Sequence, residues 1–279
     1  MTHPLSCHQL AFSYSKKPLL SEINLSFNTG EFVGLIGGNG AGKSTLLQLL
    51  LGLITPQTGE VLLQGENIAT QKRRDIAKLI AFVPQSTDLP YAFTVEELVA
   101  MGRNPYLGAF ELETDSDKKL INDALDKTDL QPLRSRLVNN LSGGERQRVI
   151  IARALAQQSN TILLDEPIAS LDICHQIETL ELIKSLTQSG KLAITALHDL
   201  NFAAQYCDRI ILIGNHAKND GQTIVADGTP EEVLTPDNLS TYFSIYANLT
   251  KVKNKIQLHD ISPVRKQLDC RQWDNTNRE

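Results

Sequence analysis

The stretch Phe32-Val33-Gly34-Leu35-Ile36-Gly37-Gly38-Asn39-Gly40-Ala41-Gly42-Lys43-Ser44 decides how this chain must fold. A short run without polar side chains enters a glycine-rich loop, and the loop enters Thr45-Leu46-Leu47-Gln48-Leu49-Leu50, which has the look of a helix. The pattern G-x-x-x-x-G-K-[ST] between a strand and a helix suits a polyphosphate. Its glycines let the backbone curl until successive N–H groups point inward, and the helix N-terminus adds a positive partial charge. Gly37, Gly38, Asn39, Gly40, Ala41 and Gly42 are therefore the candidate cradle. Lys43 would meet the β- and γ-phosphates, with Thr45 alongside, and the Ser44 hydroxyl is a hard oxygen ligand for Mg²⁺.

That strand has company. Apolar runs recur at Ile80-Ala81-Phe82-Val83, Thr161-Ile162-Leu163-Leu164, Leu192-Ala193-Ile194-Thr195-Ala196-Leu197 and Ile210-Ile211-Leu212-Ile213. Several show no alternation, as expected of strands buried on both faces of a parallel sheet. Helical segments at 43–51, 173–186 and 200–206 complete an α/β pattern. Between about 88 and 156 the periodicity is helical, at 95–101 and 117–128, with breaks at Pro105 and Pro132 and no convincing strand. A helical subdomain inserted between sheet strands is expected there. After about Leu249 the sequence turns polar, so 1–250 is expected to fold and 251–279 to be a frayed tail.

Composition agrees with a globular chain. Of 279 residues, 41% are hydrophobic and 21% charged, which leaves disorder and fibrous architectures as poor fits. Lys and Arg number 27 against 32 Asp and Glu, a net −5 that offers nucleic acid no basic face. Cys7, Cys174, Cys207 and Cys270 stand far apart without a Cys-x-x-Cys pair, so neither a zinc site nor a disulfide framework is indicated. The start Met1-Thr2-His3-Pro4 lacks the basic and apolar regions of a signal peptide. The richest apolar run, 46–54, is interrupted by Gln48 and Gly52 and falls short of the ~20 residues of a membrane span. A reducing cytosol is the expected home.

Two further stretches carry chemistry. Thr161-Ile162-Leu163-Leu164-Asp165-Glu166-Pro167 delivers two carboxylates at the C-terminal end of a strand, the edge where open α/β sheets bind ligands. Asp165 would hold the Mg²⁺ shell, and Glu166 is placed to polarise an attacking water. The strand at 192–197 ends in His198-Asp199, and position alone leaves that histidine either structural or catalytic. Leu141-Ser142-Gly143-Gly144-Glu145-Arg146-Gln147-Arg148 has the S-x-x-E spacing of a capping box before a helix. Paired glycines weaken a first helical turn, so an ordinary cap does not explain them; a second anion-binding helix N-terminus does.

In their order and spacing these motifs resemble the nucleotide-binding subunit of an ABC transporter, over about residues 5–243. The resemblance implies an α/β fold with a P-loop (RecA-like), mainly parallel sheet core, an N-terminal antiparallel β part and an inserted α-helical subdomain. It implies ATP and Mg²⁺, and a homodimer in which each ATP bridges the phosphate loop of one copy and the signature of the other. On this likeness Tyr14 matches the aromatic residue that stacks on adenine. Gln85, in Val83-Pro84-Gln85, matches the loop glutamine that joins Ser44 and Asp165 at the metal. Glu166 and His198 match the catalytic pair. Ser142, Gly143, Gly144 and Glu145 match the signature that meets ATP in trans, and Asp172 belongs to the loop lying across the dimer interface. Ile168-Ala169 departs from the Thr and Ser common after the Walker B proline.

The same likeness implies transmembrane permease subunits, docked around residues 89–106, and indirectly a periplasmic or surface substrate-binding protein. That places the chain peripherally on the cytoplasmic side of a bacterial inner membrane. Met101-Gly102-Arg103-Asn104-Pro105-Tyr106 and the stretch at 197–208 resemble ATPases of iron-chelate, haem and cobalamin importers. A ferric siderophore is the expected cargo, with zinc and manganese importers as near neighbours. A soluble ABC ATPase of DNA repair or translation would carry a long coiled coil or two cassettes, whereas this sequence has one phosphate loop and no sustained heptads.

Overall fold

The computed structural model describes residues 3–85, 93–108, 111–215, 221–252 and 255–264. The strands are β1 (Leu5–Phe12), β2 (Leu20–Phe27), β3 (Phe32–Ile36), β4 (Thr58–Leu63), β5 (Glu66–Asn67), β6 (Ile80–Val83), β7 (Thr161–Asp165), β8 (Leu192–Ala196), β9 (Arg209–Asn215), β10 (Gln222–Gly228), β11 (Ile245–Val252) and β12 (Lys255–Pro263). The helices are α1 (Lys43–Leu50), α2 (Arg73–Leu79), α3 (Val95–Ala100), α4 (Asp115–Lys127), α5 (Gly143–Ala156), α6 (Ile173–Gln188), α7 (Leu200–Tyr206), α8 (Pro230–Val233) and α9 (Pro236–Phe243).

Strand residues without polar side chains can be buried on both sheet faces, and the five apolar runs of the sequence are β3, β6, β7, β8 and β9. They lie side by side in parallel, with Val33 between Ile194 and Arg209, and Leu164 between Val83 and Thr195. The full order is β5-β4-β1-β2-β10-β9-β3-β8-β7-β6. At one end β5, β4, β1 and β2 pair antiparallel. Strand β10 joins the halves, antiparallel to β9 and parallel to β2. The expected parallel core with an N-terminal antiparallel part is therefore one continuous sheet. Alternation along β3 divides the interior: Phe32 and Ile36 face the core shared with α5, α6 and α7, while Val33 and Leu35 face the core that holds α1.

The inserted segment is helical, as α3, α4 and α5 packed through Val95, Leu98, Ile121, Leu125 and Val149. Two devices hold it. A Cβ on Gly102 would lie 2.3 Å from the Arg153 carbonyl oxygen, so only glycine lets the turn after α3 touch the backbone of α5. Beside it the buried Arg103 donates from Nε to Asp117 Oδ1 at 2.8 Å and from Nη1 to the Ala156 carbonyl at 2.9 Å. Its guanidinium also lies 4.1 Å from the Tyr106 ring centroid.

The C-terminal region differs from expectation. Of the tail expected at 251–279, residues 251–252 and 255–263 belong instead to the hairpin β11–β12, with Leu249 opposite Leu258 and Asn248 opposite His259. Ala247, Leu249, Ile256 and Leu258 join the core, while Asn248, Thr250, Gln257 and His259 are exposed. Alternation with a polar outer face lowers the average hydropathy, which is why the segment reads as a tail. Residues 265–279 and, in the subdomain, 86–92 and 109–110 lie outside the described residues, as does part of the expected 89–106 docking surface. Among the described residues no helix is long and apolar enough to cross a membrane.

Candidate active site

The loop after β3 ends at Gly42, whose φ of +91° caps α1 in the left-handed region that glycine adopts freely. No side chain caps this helix and its first turn contains no acid, so its first N–H groups face the loop. That is the donor arrangement an oligophosphate needs. Lys43 is buried in the turn, and its Nζ donates to the carbonyls of Gly37 at 2.9 Å and Gly38 at 3.3 Å. Burial draws the Lys43 amino group below the usual lysine range, opposed by the nearby Glu166 and Asp165 carboxylates.

Parallel pairing brings the end of β7 beside the loop. Ser44 Oγ donates to Asp165 Oδ1 at 3.0 Å, joining the two elements through the pair expected at the metal. Burial pushes the Asp165 carboxyl above its ordinary value; the Ser44 hydrogen bond opposes this and the Glu166 charge adds to it. Glu166 itself has φ +51°, a left-handed conformation uncommon for a side-chain-bearing residue and concentrated at functional positions. One Glu166 oxygen accepts a hydrogen bond from Gln85 Nε2 at 2.7 Å, and the other contacts His198 Nε2.

These groups surround a cavity of about 620 Å³ lined by Leu19, residues 39–45, Gln85, Glu166 and His198. Serine hydroxyl, glutamine amide and aspartate carboxylate offer hard oxygens, a donor set that suits Mg²⁺ accompanied by phosphate oxygens. Among the described residues no group of three His, Cys, Asp or Glu forms a metal cage. The residues present therefore fit MgATP: Ser44, Gln85 and Asp165 at the metal, Lys43 and the loop at the phosphates.

Other expected residues take different places. Tyr14 is 67% exposed and outside the cavity wall, edge-on to Phe12 at 4.8 Å, with its hydroxyl 3.4 Å from Thr45 Oγ1. The signature residues lie away from this cavity. Ser142 caps α5 by accepting from the Glu145 N–H at 3.2 Å, and Glu145 Oε2 accepts from the Ser142 N–H at 2.7 Å. The Ser142 backbone bond, then its hydroxyl, holds the Glu145 carboxyl below its ordinary value. Ser142 and Gly143 are exposed, and a Cβ on Gly143 would meet nothing within 4 Å. Asp172 caps α6, accepting from the His175 N–H at 3.0 Å.

Two contributors escape sequence reasoning. Leu19 forms part of the cavity wall from the turn before β2, and Gln176 on α6 donates to the Ile168 carbonyl at 3.1 Å, steadying the turn after Glu166. Neither belongs to a motif; Leu19 shows only as the start of an apolar run, and Gln176 as one polar residue of a helix.

Comparison with known proteins identifies the family. Residues 20–169 match the ABC transporter family model. The cobalamin import ATP-binding protein of Halobacterium salinarum is 42% identical over 226 residues, covering 81% of this chain and 55% of its own length. The chain thus spans little more than half of that relative. The iron(3+)-hydroxamate import ATP-binding protein of Bacillus subtilis is 38% identical over 246 residues, covering 88% of this chain and 89% of its own. A dimeric ATP-binding cassette in a post-hydrolysis state, bound to ADP and Pi, superposes with a TM-score of 0.70 at 29% identity, over 81% of this chain and 98% of the other. With more than half of its length matched by the family model and relatives well above 30% identity, the chain belongs to the ABC transporter family, as an ATP-binding cassette.

Proposed function

We propose that the chain hydrolyses MgATP at a site shared between two copies of itself, and that this drives import of an iron chelate, a ferric siderophore, through separate transmembrane permease subunits. The observation that carries the reading is the Glu166 carboxylate: it sits between Gln85 and His198, next to the Ser44–Asp165 pair, on the wall of the phosphate-loop cavity. Bound MgATP would supply the electrophilic phosphoryl group. Glu166 would accept a proton from the attacking water, His198 would hold that water and the γ-phosphate, and Lys43 would neutralise charge on the phosphates.

The in-trans half rests on the signature. Ser142 and Gly144 lie outside the cavity that holds the phosphate loop, and the start of α5, though capped by Ser142 and Glu145, leaves Ser142 and Gly143 exposed, where the phosphates of a facing copy's nucleotide would meet them. Two such termini facing one triphosphate would hold the copies together only while the γ-phosphate remains. The cargo reading draws on the relatives' cobalamin and iron(3+)-hydroxamate import, and the peripheral membrane placement on the same proteins. For the permease, the favoured surface is a cavity of about 430 Å³ where the turn after α1 meets the helical subdomain, lined by Leu51, Leu53, Phe82, Met101 and Arg153 among others.

Glu166→Gln tests the chemistry. Turnover should fall by about 10²-fold or more while ATP binding persists, and the variant should accumulate as an ATP-bound dimer in size-exclusion chromatography. Phosphate release at the wild-type rate would overturn the role of Glu166. Ser142→Ala and Gly144→Asp should spare ATP binding and impair dimer closure.

A further inference from the structure

The C-terminal hairpin is fastened to α7, the helix that begins two residues after His198. Asn201, in the first turn of α7, donates from Nδ2 to the Leu258 carbonyl at 3.1 Å and accepts the Leu258 N–H on Oδ1 at 2.8 Å. A side-chain amide that satisfies both backbone groups of one residue behaves as an added peptide unit beside β12, holding distance and orientation together. Lys255 donates to the Gln205 carbonyl in the last turn of α7, where a cation also suits the helix dipole. Leu258, 5% exposed, closes the contact in one core cluster with Ala203 and Tyr206.

Helix α7 has seven residues, too few to hold itself by propensity, so its position is set by what it packs against. Its N-cap is Asp199, whose Oδ1 accepts from the N–H groups of Asn201 and Phe202 at 2.8 and 3.0 Å. His198 immediately precedes that cap, with Nε2 on Glu166. A cavity of about 150 Å³ lies on this side of the pair, lined by Glu166, Ala169, Gln176, His198, Asp199 and Phe202. A loosened α7 has that space to move into, and functional side chains must be held within about 0.5 Å of their working geometry.

We infer that Asn201 is a positioning residue for hydrolysis: by anchoring the β11–β12 hairpin to the first turn of α7, it fixes the segment that aims His198 at Glu166. The inference rests on the reading of Glu166 and His198 as the hydrolytic pair. Asn201→Ala in the full chain should lower kcat for ATP by about fivefold to tenfold with KM and nucleotide affinity unchanged, and should raise hydrogen exchange at 199–206 and 255–258 together. Asn201→Asp, which keeps the acceptor and loses the donor, should fall between Ala and wild type. Leu258→Pro, which removes the N–H from the other side together with a buried side chain, should reproduce the kcat loss without changing any residue of α7. Tyr246→Ala, on the exposed outer face of the same hairpin, should leave kcat unchanged. Wild-type kcat in Asn201→Ala once exchange shows the hairpin released would overturn the inference, as would an equal loss of kcat and ATP affinity. Glu166→Gln run alongside separates the two levels, because its full activity would remove the underlying pair whatever Asn201 does.

Discussion

At the scale of single residues, the site keeps two carboxylates adjacent and gives them different environments. Asp165 is buried and bonded to Ser44, while Glu166 turns through a left-handed φ toward Gln85 and His198. Burial first, and the Glu166 charge second, raise the Asp165 carboxyl, so its ionised form penalises the fold. The sign follows from linkage: an acid raised in the folded state costs stability as pH climbs past its unfolded pKa of about 3.9. Glu166→Gln removes one of the raising charges. Asp165 should therefore titrate lower in that variant by NMR, and the melting temperature of the variant relative to wild type should rise as pH climbs past the unfolded value of about 3.9. An unchanged Asp165 titration would show that the Glu166 charge has no part in raising it. Asp165 and Glu166 are legible as a carboxylate pair ending an apolar run, and His198 only through the family resemblance; the Gln85–Glu166–His198 contact, which joins residues 81 and 32 positions apart, is not legible at all.

At the scale of elements, the helical subdomain depends on one buried ion pair with several partners. Arg103 reaches from the turn after α3 to Asp117 in the first turn of α4 and to the last carbonyl of α5, so three elements share one guanidinium. The Thr114 hydroxyl, the Thr114 N–H and then Arg103 hold the Asp117 carboxyl down to about 2. An acid depressed in this way contributes stability above its unfolded pKa and loses it as pH falls through the folded one. Arg103→Met should destabilise the chain by about 3 kcal/mol at neutral pH, leaving a buried carboxylate without its cation. The deficit should shrink between about pH 4 and pH 2 as Asp117 takes up a proton; urea unfolding across that range measures it. How legible an element was depended on its burial. Strands β3, β6, β7, β8 and β9 are covered on both faces and read as unbroken apolar runs. Strand β1 was harder: it carries Gln9 at φ +46°, with register shifts around it that break the period-two pattern. Strand β12 hides one buried position, Leu258, among exposed polar neighbours.

At the scale of the whole molecule, the phosphate loop and the signature stand on different parts of the fold. The loop joins β3 to α1 within the parallel half of the sheet, and the signature opens α5 of the inserted subdomain. If each nucleotide is completed by a second copy, the contact is two-fold symmetric and every dimer holds two equivalent sites. A copy carrying Lys43→Met then retains a working signature, and a copy carrying Gly144→Asp retains a working phosphate loop. Each is inactive as a homodimer. In the mixed dimer, the loop of the second copy faces the signature of the first, and one complete site returns opposite one that carries both defects. Equal mixing yields mixed dimers as about half of all dimers, each with one of two sites intact, so recovered ATP hydrolysis should approach about a quarter of wild type. A site completed within one chain makes the opposite prediction, because neither variant could then supply what the other lacks. Titrating one variant into the other at fixed total protein separates the cases: an optimum near equal amounts requires sharing, and a flat line at the level of the separate variants excludes it.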